Sequence, residues 1–409
     1  MSVSLAGLDL RNSVEIDLGG ADFKAHAREH LAQWARRPPF YVLNNGPPQV
    51  VVGRYADVHE VFTDPRRFSS EVPRGRGYEQ FDKFVGGQFM TQMDGERHSR
   101  LRRLVMPAFA PRRLAEIDSR VGEIIEGLLD DIERGGRAFD GMQQYAARLV
   151  VGALLTAMLN LDDAQKRTLL AYQEIQPQLT TVRPGQEFPP ECLHAYQRSA
   201  DLVRHIIVDR RDNPRSDFLT DLVLAHDQGD KLSERELFDM IFGMFAALAT
   251  TPRSGGGALY TLYSHPDQLA QLVHDPTLIP EAVEECLRIA SNGYFTFARV
   301  ATCDTEVGGT PIREGMIVRP SPQAANYDPL VFPDPLTFDI HRKPKRIMTF
   351  GAGPHHCIGH ALGRMTIVMA IGRLLARFPK ARLADPNFQP VYGGAMGELR
   401  IRSLPMMTH

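Results

Sequence analysis

Near its C-terminus the chain carries the stretch Phe350-Gly351-Ala352-Gly353-Pro354-His355-His356-Cys357-Ile358-Gly359-His360-Ala361. One cysteine thus stands in a glycine-rich turn directly before an amphipathic helix. The start of a helix offers backbone N–H groups and the positive end of the helix dipole, and both stabilise a thiolate. The glycines leave room for a flat ligand to approach the backbone. The stretch therefore predicts a turn that binds a ligand through the sulfur of Cys357.

Two other roles for this cysteine are disfavoured. A structural zinc site would need His355, His356, Cys357 and His360 to converge on one ion, and these residues stand too close together in the chain for that. An inert, buried cysteine would not need so many glycines around it.

Composition excludes several classes of protein. The 47 basic and 49 acidic residues give a net charge of -2, which predicts no general affinity for nucleic acid or for an anionic membrane. No run approaches the ~20 apolar residues of a membrane-spanning helix, and charged residues replace the apolar core of a signal peptide near the N-terminus. Four scattered cysteines fit a reducing compartment. We expect a cytoplasmic protein without a membrane anchor.

Hydrophobic periodicity predicts a mainly α chain with a few short strands. Helices are predicted over residues 21–34 and 55–62, and helical patterns dominate as far as residue 288. The predicted strands cover residues 40–43, 49–52, 297–300, 305–307 and 316–318. Residues 74–87 are predicted to form a loop, and residues 326–342 are Pro-rich and irregular.

The spacing F-x-x-G-x-x-x-C-x-G, with Phe350, Gly353, Cys357 and Gly359 at its fixed positions, resembles the haem-binding signature of the cytochrome P450 superfamily. The resemblance implies one domain over residues 1–409, in which a mainly α body with a small β region, a minor antiparallel sheet, encloses haem b. It also implies that Cys357 is the axial thiolate ligand of the iron and that O₂ is a co-substrate. The lack of an anchor is typical of the soluble, bacterial members.

A second motif supports the resemblance. Glu285 and Arg288 lie three residues apart on a helix that begins near Pro280, and they match the family's E-x-x-R pair, which implies a buried structural role. Many relatives add an arginine where this chain has Thr337. Arg342 or His341 is therefore expected to complete the pair.

Basic residues are expected to bind the haem propionates. His98 and Arg102 share one helical face and resemble the propionate ligands of the family, and the resemblance gives Arg299 and His355 the same role. Off this face stand four more arginines, which form either a basic patch for an acidic redox partner or an ordinary solvated surface. They are Arg100, Arg103, Arg112 and Arg113.

The predicted oxygen-binding helix departs from the family pattern. It begins with a capping box at Ser233 and runs to Thr250, where relatives carry an acid before the threonine and this chain has Ala249. Protons are then expected to arrive through water, through Thr250 or Thr251, or through a substrate group, unless the change is harmless drift. Pro252 predicts a kink near Leu248, and the glycines 255–257 predict a weakened helix that opens a groove.

The resemblance places substrate contacts on four segments, whose residues are mostly aromatic. Such pockets suit a compact apolar or aromatic ligand, although core packing explains each aromatic residue equally well. The expected contacts are Phe81, Phe84, Phe89, Met90, Phe242, Phe245, Ala246, Tyr294, Phe295, Phe297 and Met396.

Together these features predict a haem-thiolate monooxygenase that hydroxylates or O-dealkylates a small apolar, aromatic or terpenoid-like substrate. Electrons are expected from NAD(P)H through a separate reductase and a ferredoxin or flavodoxin-type donor, because the chain carries no redox module of its own. The alternatives are a peroxide-driven peroxygenase-type variant and a non-catalytic haem-binding or gas-sensing protein.

Overall fold

The computed structural model describes residue 8 and residues 13–43, 49–72, 89–179, 187–225, 232–246, 250–290, 293–394 and 397–409. Helices account for 57% and strands for 11%, which confirms the predicted mainly α fold with a small β region.

In chain order the α-helices are α1 (Ala21–Ala25), α2 (Ala27–Trp34), α3 (Tyr55–Thr63), α4 (Gly95–Val105), α5 (Pro111–Gly135), α6 (Ala147–Val150), α7 (Asp163–Leu179), α8 (Pro190–Asp212), α9 (Phe218–Ala225), α10 (Glu234–Ala246), α11 (Thr251–Tyr263), α12 (Pro266–His274), α13 (Ile279–Ile289), α14 (Pro322–Ala325) and α15 (His360–Arg377). Two π-helical segments, Gly141–Ala146 and Val151–Met158, flank α6. The strands are β1 (Ser13–Val14), β2 (Phe40–Val42), β3 (Gln49–Val52), β4 (Phe68–Ser69), β5 (Ala138–Asp140), β6 (Arg299–Ala301), β7 (Thr305–Val307), β8 (Thr310–Ile312), β9 (Ile317–Pro320), β10 (Arg382–Leu383), β11 (Tyr392–Gly393), β12 (Arg400–Ile401) and β13 (Pro405–Met407).

The chain forms two compact units. The first contains residues 1–72, 125–148 and 252–409, and the second contains residues 73–124 and 149–251. All the strands named above belong to the first unit, and the described part of the second unit is helical. That residues 1–409 make a single domain stays a prediction.

The main sheet of the first unit has six strands in the order β1-β2-β3-β9-β6-β4. It is mixed, whereas the sequence predicts an antiparallel sheet: β1 pairs with β2 and β3 pairs with β9 in parallel. Parallel neighbours need a long crossover, and α1 and α2 supply it between β1 and β2. One core cluster joins this sheet to α3 through apolar residues that include Val50, Val318, Val58 and Phe62.

The predicted N-terminal helix is divided. α1 and α2 meet at His26, whose φ of -112° and ψ of 22° are not helical. The predicted strands over residues 40–43, 49–52 and 305–307 are observed almost as expected, and the strands predicted over 297–300 and 316–318 begin one or two residues later. The loop predicted over residues 74–87 lies outside the described residues.

Two features hold the second unit together. Tyr172 and Tyr196 lie 5.4 and 5.3 Å, between ring centres, from Phe242, which joins α7, α8 and α10. The predicted capping box is also present: the Glu236 N–H donates to the Ser233 hydroxyl at 3.1 Å, and the Ser233 N–H donates to the Glu236 carboxylate at 2.9 Å.

The kink predicted near Leu248 lies outside the described residues, and the structure describes a helix on each side of it. α10 ends at Ala246 and α11 begins at Thr251, so Pro252 lies in the first turn of α11, where its missing N–H costs nothing. The glycines of α11 permit close packing. A Cβ on Gly256 would lie 2.4 Å from the sulfur of Met142, and a Cβ on Gly257 would lie 2.9 Å from the Ala290 carbonyl oxygen. Gly256 and Gly257 thus have a packing role as well, because a larger residue would not fit there without a shift of its neighbours, and the weakening of the helix by its glycines stays a prediction.

Candidate active site

The loop that carries Cys357 is built by glycine and by backbone hydrogen bonds. Gly351 and Gly353 have φ values of 69° and 67°, and a Cβ on Gly353 would lie 2.4 Å from the Phe62 carbonyl oxygen. The Cys357 N–H donates to the Phe350 carbonyl oxygen at 2.8 Å. This bond closes the loop just before α15 and leaves Cys357 exposed.

Two basic side chains border this loop. Arg299 is 4% exposed, and its guanidinium lies 5.7 Å from the ring centre of Phe62, whose carbonyl underlies Gly353. His355 Nε2 lies 3.0 Å from the Ser70 hydroxyl. Ser70 directly follows β4, which pairs with β6, the strand that begins at Arg299. An exposed thiol in a loop that also carries His355, with Arg299 packed on Phe62 under the same loop, fits the iron and the carboxylates of a haem.

The E-x-x-R pair is completely buried. Arg288 Nε and Nη2 each lie 2.7 Å from a different carboxylate oxygen of Glu285, and both side chains are 0% exposed. Arg342 Nε donates to the same carboxylate at 3.0 Å, so Arg342, and not His341, occupies the place of the missing family arginine. Thr337 contributes its carbonyl oxygen, which accepts from Arg342 at 3.0 Å and from Arg288 Nη2 at 3.4 Å.

A chain of hydrogen bonds connects the pair to the Cys357 loop. Arg288 Nη1 donates to the Asn326 carbonyl oxygen at 2.8 Å. The Asn326 side chain accepts from the Met348 N–H at 2.6 Å and donates to the Thr349 hydroxyl at 2.9 Å. These residues directly precede Phe350, so Arg288 braces the start of the loop.

The first turns of α15 add a charged group. The Arg364 guanidinium lies 4.2 Å from the ring centre of Phe350 and contacts Glu284. Its Nη1 also lies 3.0 Å from His360 Nδ1. Since His355 and His360 bond to Ser70 and Arg364, they do not converge with Cys357 on one ion. Within the described residues, no three His, Cys, Asp or Glu side chains are grouped to hold a metal ion.

In the second unit, α4 carries His98, which is 2% exposed, and the partly exposed Arg102. The four other arginines all contact carboxylates of this unit. Arg103 lies 2.8 Å from Glu96, Arg112 and Arg113 both contact Glu116, and Arg100 contacts Glu236. Their positive charge is largely balanced locally, which disfavours a basic patch at these positions.

The structure describes two of the three predicted proton-delivery residues. Thr250 is an exposed turn residue and Thr251 begins α11, whereas Ala249 lies outside the described residues. Their predicted roles therefore stay predictions.

The predicted substrate residues separate into groups. Tyr294 is 0% exposed, its hydroxyl donates to the Leu18 carbonyl oxygen, and burial raises its pKa to about 12. Phe242 and Phe245 are each 4% exposed. In the structure Tyr294, Phe242 and Phe245 are therefore packed in the core, and their predicted contacts with substrate stay predictions.

Other predicted pocket residues keep accessible surface. Phe297 is 56% exposed, and Phe295, Phe89 and Met90 are partly exposed. In the second unit the Phe89 ring packs on Gly243, where a Cβ would lie 2.9 Å from it. Phe81, Phe84 and Met396, and the side chain of Ala246, lie outside the described part.

Sequence reasoning missed three contributors. Ser70 contacts His355, the Asn326 side chain holds the Cys357 loop, and Arg253 Nη2 lies 2.6 Å from Glu398 Oε1. Each of these three contacts joins residues that are far apart in the chain, so no local sequence pattern could have predicted it.

Comparison with known proteins gives one consistent answer. The family model described as Cytochrome P450 matches residues 23–389. A mycinamicin IV hydroxylase/epoxidase from Micromonospora griseorubida is 34% identical over 360 residues, which cover 86% of each chain. A nocardicin C N-oxygenase from Nocardia uniformis subsp. tsuyamanensis is 35% identical over 347 residues, which cover 83% of this chain and 84% of that protein. The crystal structure of the myxobacterial cytochrome P450 CYP267B1 in complex with myristic acid has a TM-score of 0.87 at 29% identity and covers 96% of this chain and 98% of that one.

Fold, loop and relatives define an oxidoreductase of the monooxygenase class. The chain belongs to the cytochrome P450 family and is of the bacterial type. Membership implies haem with a thiolate ligand and the use of O₂. Within the described residues, no helix is both long and apolar enough to span a membrane.

Proposed function

We propose that this protein is a haem-thiolate monooxygenase in which Cys357 is the axial ligand, and that it hydroxylates or O-dealkylates a small apolar, aromatic or terpenoid-like substrate. The observation that carries the proposal is the exposed thiol of Cys357 in a closed glycine loop that Arg299 and His355 border. The relatives named as hydroxylase/epoxidase and N-oxygenase support oxygen insertion as the reaction.

Different residues of the chain would bind the haem iron, bind the haem carboxylates and support the Cys357 loop. Cys357 would bind the iron of haem b, while Arg299 and His355, with His98 and Arg102 of α4, would hold its carboxylates through charge-assisted hydrogen bonds. Bound in this way, haem supplies O₂ activation, because electron density from a thiolate favours O–O cleavage. Glu285 and Arg288 support the loop from behind, and Arg364 places a positive charge beside Phe350.

Hydroxyl groups and water would deliver the protons that the reaction needs. Ala249 cannot titrate, so Thr250 or Thr251 would orient the water that carries protons to the reacting oxygen. Partly exposed Phe89, Met90, Phe295 and Phe297 would supply apolar contacts to the substrate. The proposal includes a separate ferredoxin or flavodoxin-type donor and its NAD(P)H-dependent reductase.

The ligand assignment is tested by absorption spectroscopy. The reduced carbonyl complex of the haem-loaded protein should show the red-shifted Soret band of thiolate ligation, and Cys357→His should lose this band even if it retains haem. Cys303→Ala is the matched control, because Cys303 is also exposed and lies outside the loop. A red-shifted band that persists in Cys357→His would contradict the assignment.

The substrate class is tested with the same protein. A screen of small aromatics and terpenoids should find compounds that displace the iron-bound water and shift the Soret band. Turnover of such a compound with a redox chain, compared with turnover driven by H₂O₂, tests the peroxide-driven variant, which Ala249 favours. A complete lack of spectral shifts would contradict the proposed substrate class.

A further inference from the structure

A groove lies between α8 and α10, and both helices belong to the second unit. Its volume is about 840 Å³, and pockets of ~300–1,000 Å³ are typical of sites that bind small organic molecules. Phe238 and Tyr196 give it an aromatic floor. The ring centres of Phe238 and Tyr196 lie 5.6 and 5.3 Å from that of Phe242. Because Phe242 is buried, these rings are held in place before any ligand binds.

Two arginines converge at this floor. The guanidinium of Arg204, from α8, lies 5.2 Å from the ring centre of Phe238, and that of Arg235, from α10, lies 6.0 Å from the same ring centre. Like charges this close repel each other, and a negative charge near both would relieve the repulsion. Val208 of α8, which is 52% exposed, adds apolar surface to the same groove. The groove thus combines cationic and apolar surface, which is what an amphipathic anion requires.

The partners of these two arginines leave most of their N–H donors available. Arg204 Nη1 lies 2.7 Å from Asp201 Oδ1, and Arg235 Nε donates to Asp239 Oδ2 at 2.8 Å. Among the described residues these are the only hydrogen bonds of the two guanidinium groups, each of which carries five N–H donors. The side chains of Arg204 and Asp201 are 63% and 75% exposed, and such a pair adds little stability. A ligand carboxylate can therefore replace Asp201.

We propose that the groove between α8 and α10 is a second binding site, for an aromatic carboxylate. The ring of the ligand would pack against Phe238, and its carboxylate would accept charge-assisted hydrogen bonds from Arg204 and Arg235. A flat ring is favoured over an alkyl chain, because guanidinium groups also stack on aromatic faces. The site does not use Cys357, so the inference goes beyond the proposed function and does not depend on it.

The experiment measures the binding of 2-naphthoate to the haem-loaded protein by equilibrium dialysis, while the Soret band is recorded. The neutral analogue 2-naphthamide tests the need for charge, and octanoate tests the need for a ring. The variants are Arg204→Gln, Arg235→Gln and Asp201→Asn. Arg198→Gln is the matched control, because Arg198 is exposed on α8 and lies outside the groove. The thermal midpoint of each variant is measured as a check of folding.

Arg204→Gln and Arg235→Gln should each raise the Kd of 2-naphthoate by about tenfold, the usual effect of losing one hydrogen bond to a charged group. Asp201→Asn should lower the Kd, because it removes the carboxylate that competes for Arg204, and Arg198→Gln should leave it unchanged. Both 2-naphthamide and octanoate should bind more weakly than 2-naphthoate. If Arg235→Gln is unstable because the buried Asp239 loses this partner, the changes at residues 204 and 201 still test the site.

The inference is overturned if 2-naphthoate shows no saturable binding, or if its Kd is the same in Arg204→Gln and Arg198→Gln. Binding that shifts the Soret band and does not respond to the arginine changes would show that the ligand occupies the haem site and not the groove. Octanoate that binds as tightly as 2-naphthoate would overturn the aromatic class of the ligand. None of these results depends on the carbonyl Soret band, so a failure of the proposed function is distinguishable from a failure of this inference.

Discussion

Replacing Arg288 with alanine should destabilise the protein more than any exposed substitution. The change leaves the Glu285 carboxylate, which is 0% exposed, with Arg342 as its remaining cationic partner. Removing one partner of a buried pair typically costs ~3–5 kcal/mol. The Asn326 and Pro335 carbonyl oxygens also lose donors at 2.8 and 2.7 Å, at ~1–3 kcal/mol for each acceptor left unsatisfied.

These losses are a large part of the free energy of unfolding of a typical folded protein, which is ~5–15 kcal/mol. We therefore expect Arg288→Ala to lower the yield of folded protein sharply and to lower the denaturant midpoint of what remains. The assay is urea unfolding of the haem-loaded protein, followed by circular dichroism and by the Soret band. Loss of the hydrogen bond from Arg288 to the Asn326 carbonyl oxygen should loosen the Cys357 loop and release haem before the helices unfold.

Two further variants sharpen the test. Arg204→Ala, in the exposed pair with Asp201, should change stability by less than ~1 kcal/mol. The double variant Glu285→Leu/Arg288→Met removes the buried carboxylate but leaves Arg342 without that partner and the carbonyl oxygens without donors, so it should recover only part of the loss. An Arg288→Ala protein with a normal yield, full haem content and an unchanged midpoint would refute the structural role of the pair.

Three other perturbations test separate parts of the molecule. Ala249→Asp should change the fraction of NAD(P)H consumption that ends as H₂O₂, and identical coupling with every substrate would show that the missing acid is neutral. Gly256→Ala should lower the free energy of unfolding by ~1–3 kcal/mol, because its Cβ would meet the Met142 sulfur. Gly127 is an exposed helical residue with open space around it, so Gly127→Ala should raise the free energy of unfolding by ~0.5–1 kcal/mol. Equal effects of the two changes would contradict the packing argument. Burial favours a raised pKa for Asp140, but hydrogen bonds from Ser403, Gln143, Leu404 and Met142 outweigh it and lower the pKa. Asp140→Asn should therefore destabilise the protein by ~1–2 kcal/mol above about pH 5. This difference should shrink as the pH falls below about 4, because the carboxylate takes up a proton in the unfolded state first and in the folded state only at lower pH. A difference that grows in acid would refute the argument.

Secondary structure was predictable where a local signal was strong. The capping box at Ser233 marked the start of α10, and two short apolar runs around the turn residues 44–48 marked β2 and β3 to within a residue. Pro252 predicted a kink near Leu248, which lies outside the described residues, and the sequence did not indicate that α11 begins at Thr251, one residue before the proline. The packing role of Gly256 and Gly257 was not predicted either, because it depends on the approach of Met142 and of the Ala290 carbonyl.

The candidate site was predictable only in part. Aromatic residues near the expected pocket gave no indication of which way they face, and Tyr294 and Phe242 are core residues in the structure. Arginines on α4 and α5 fitted either a basic patch or an ordinary solvated surface, and the structure favours the second because carboxylates contact all four of them. The direction in which a ring faces and the contact of Arg100 with Glu236 depend on neighbours that are distant in the sequence.

The sequence by itself determined the family, the Cys357 loop and the Glu285–Arg288 pair. These features are short-range: the loop is contiguous, and the pair follows from the three-residue spacing on one helical face. Only the tertiary structure decided which residues complete them. Arg342 reaches Glu285, Ser70 reaches His355, and Glu398 reaches Arg253 across separations of 57, 285 and 145 residues. Such contacts depend on how whole elements pack, because close packing and the burial of charge are properties of the assembled core and not of any segment alone.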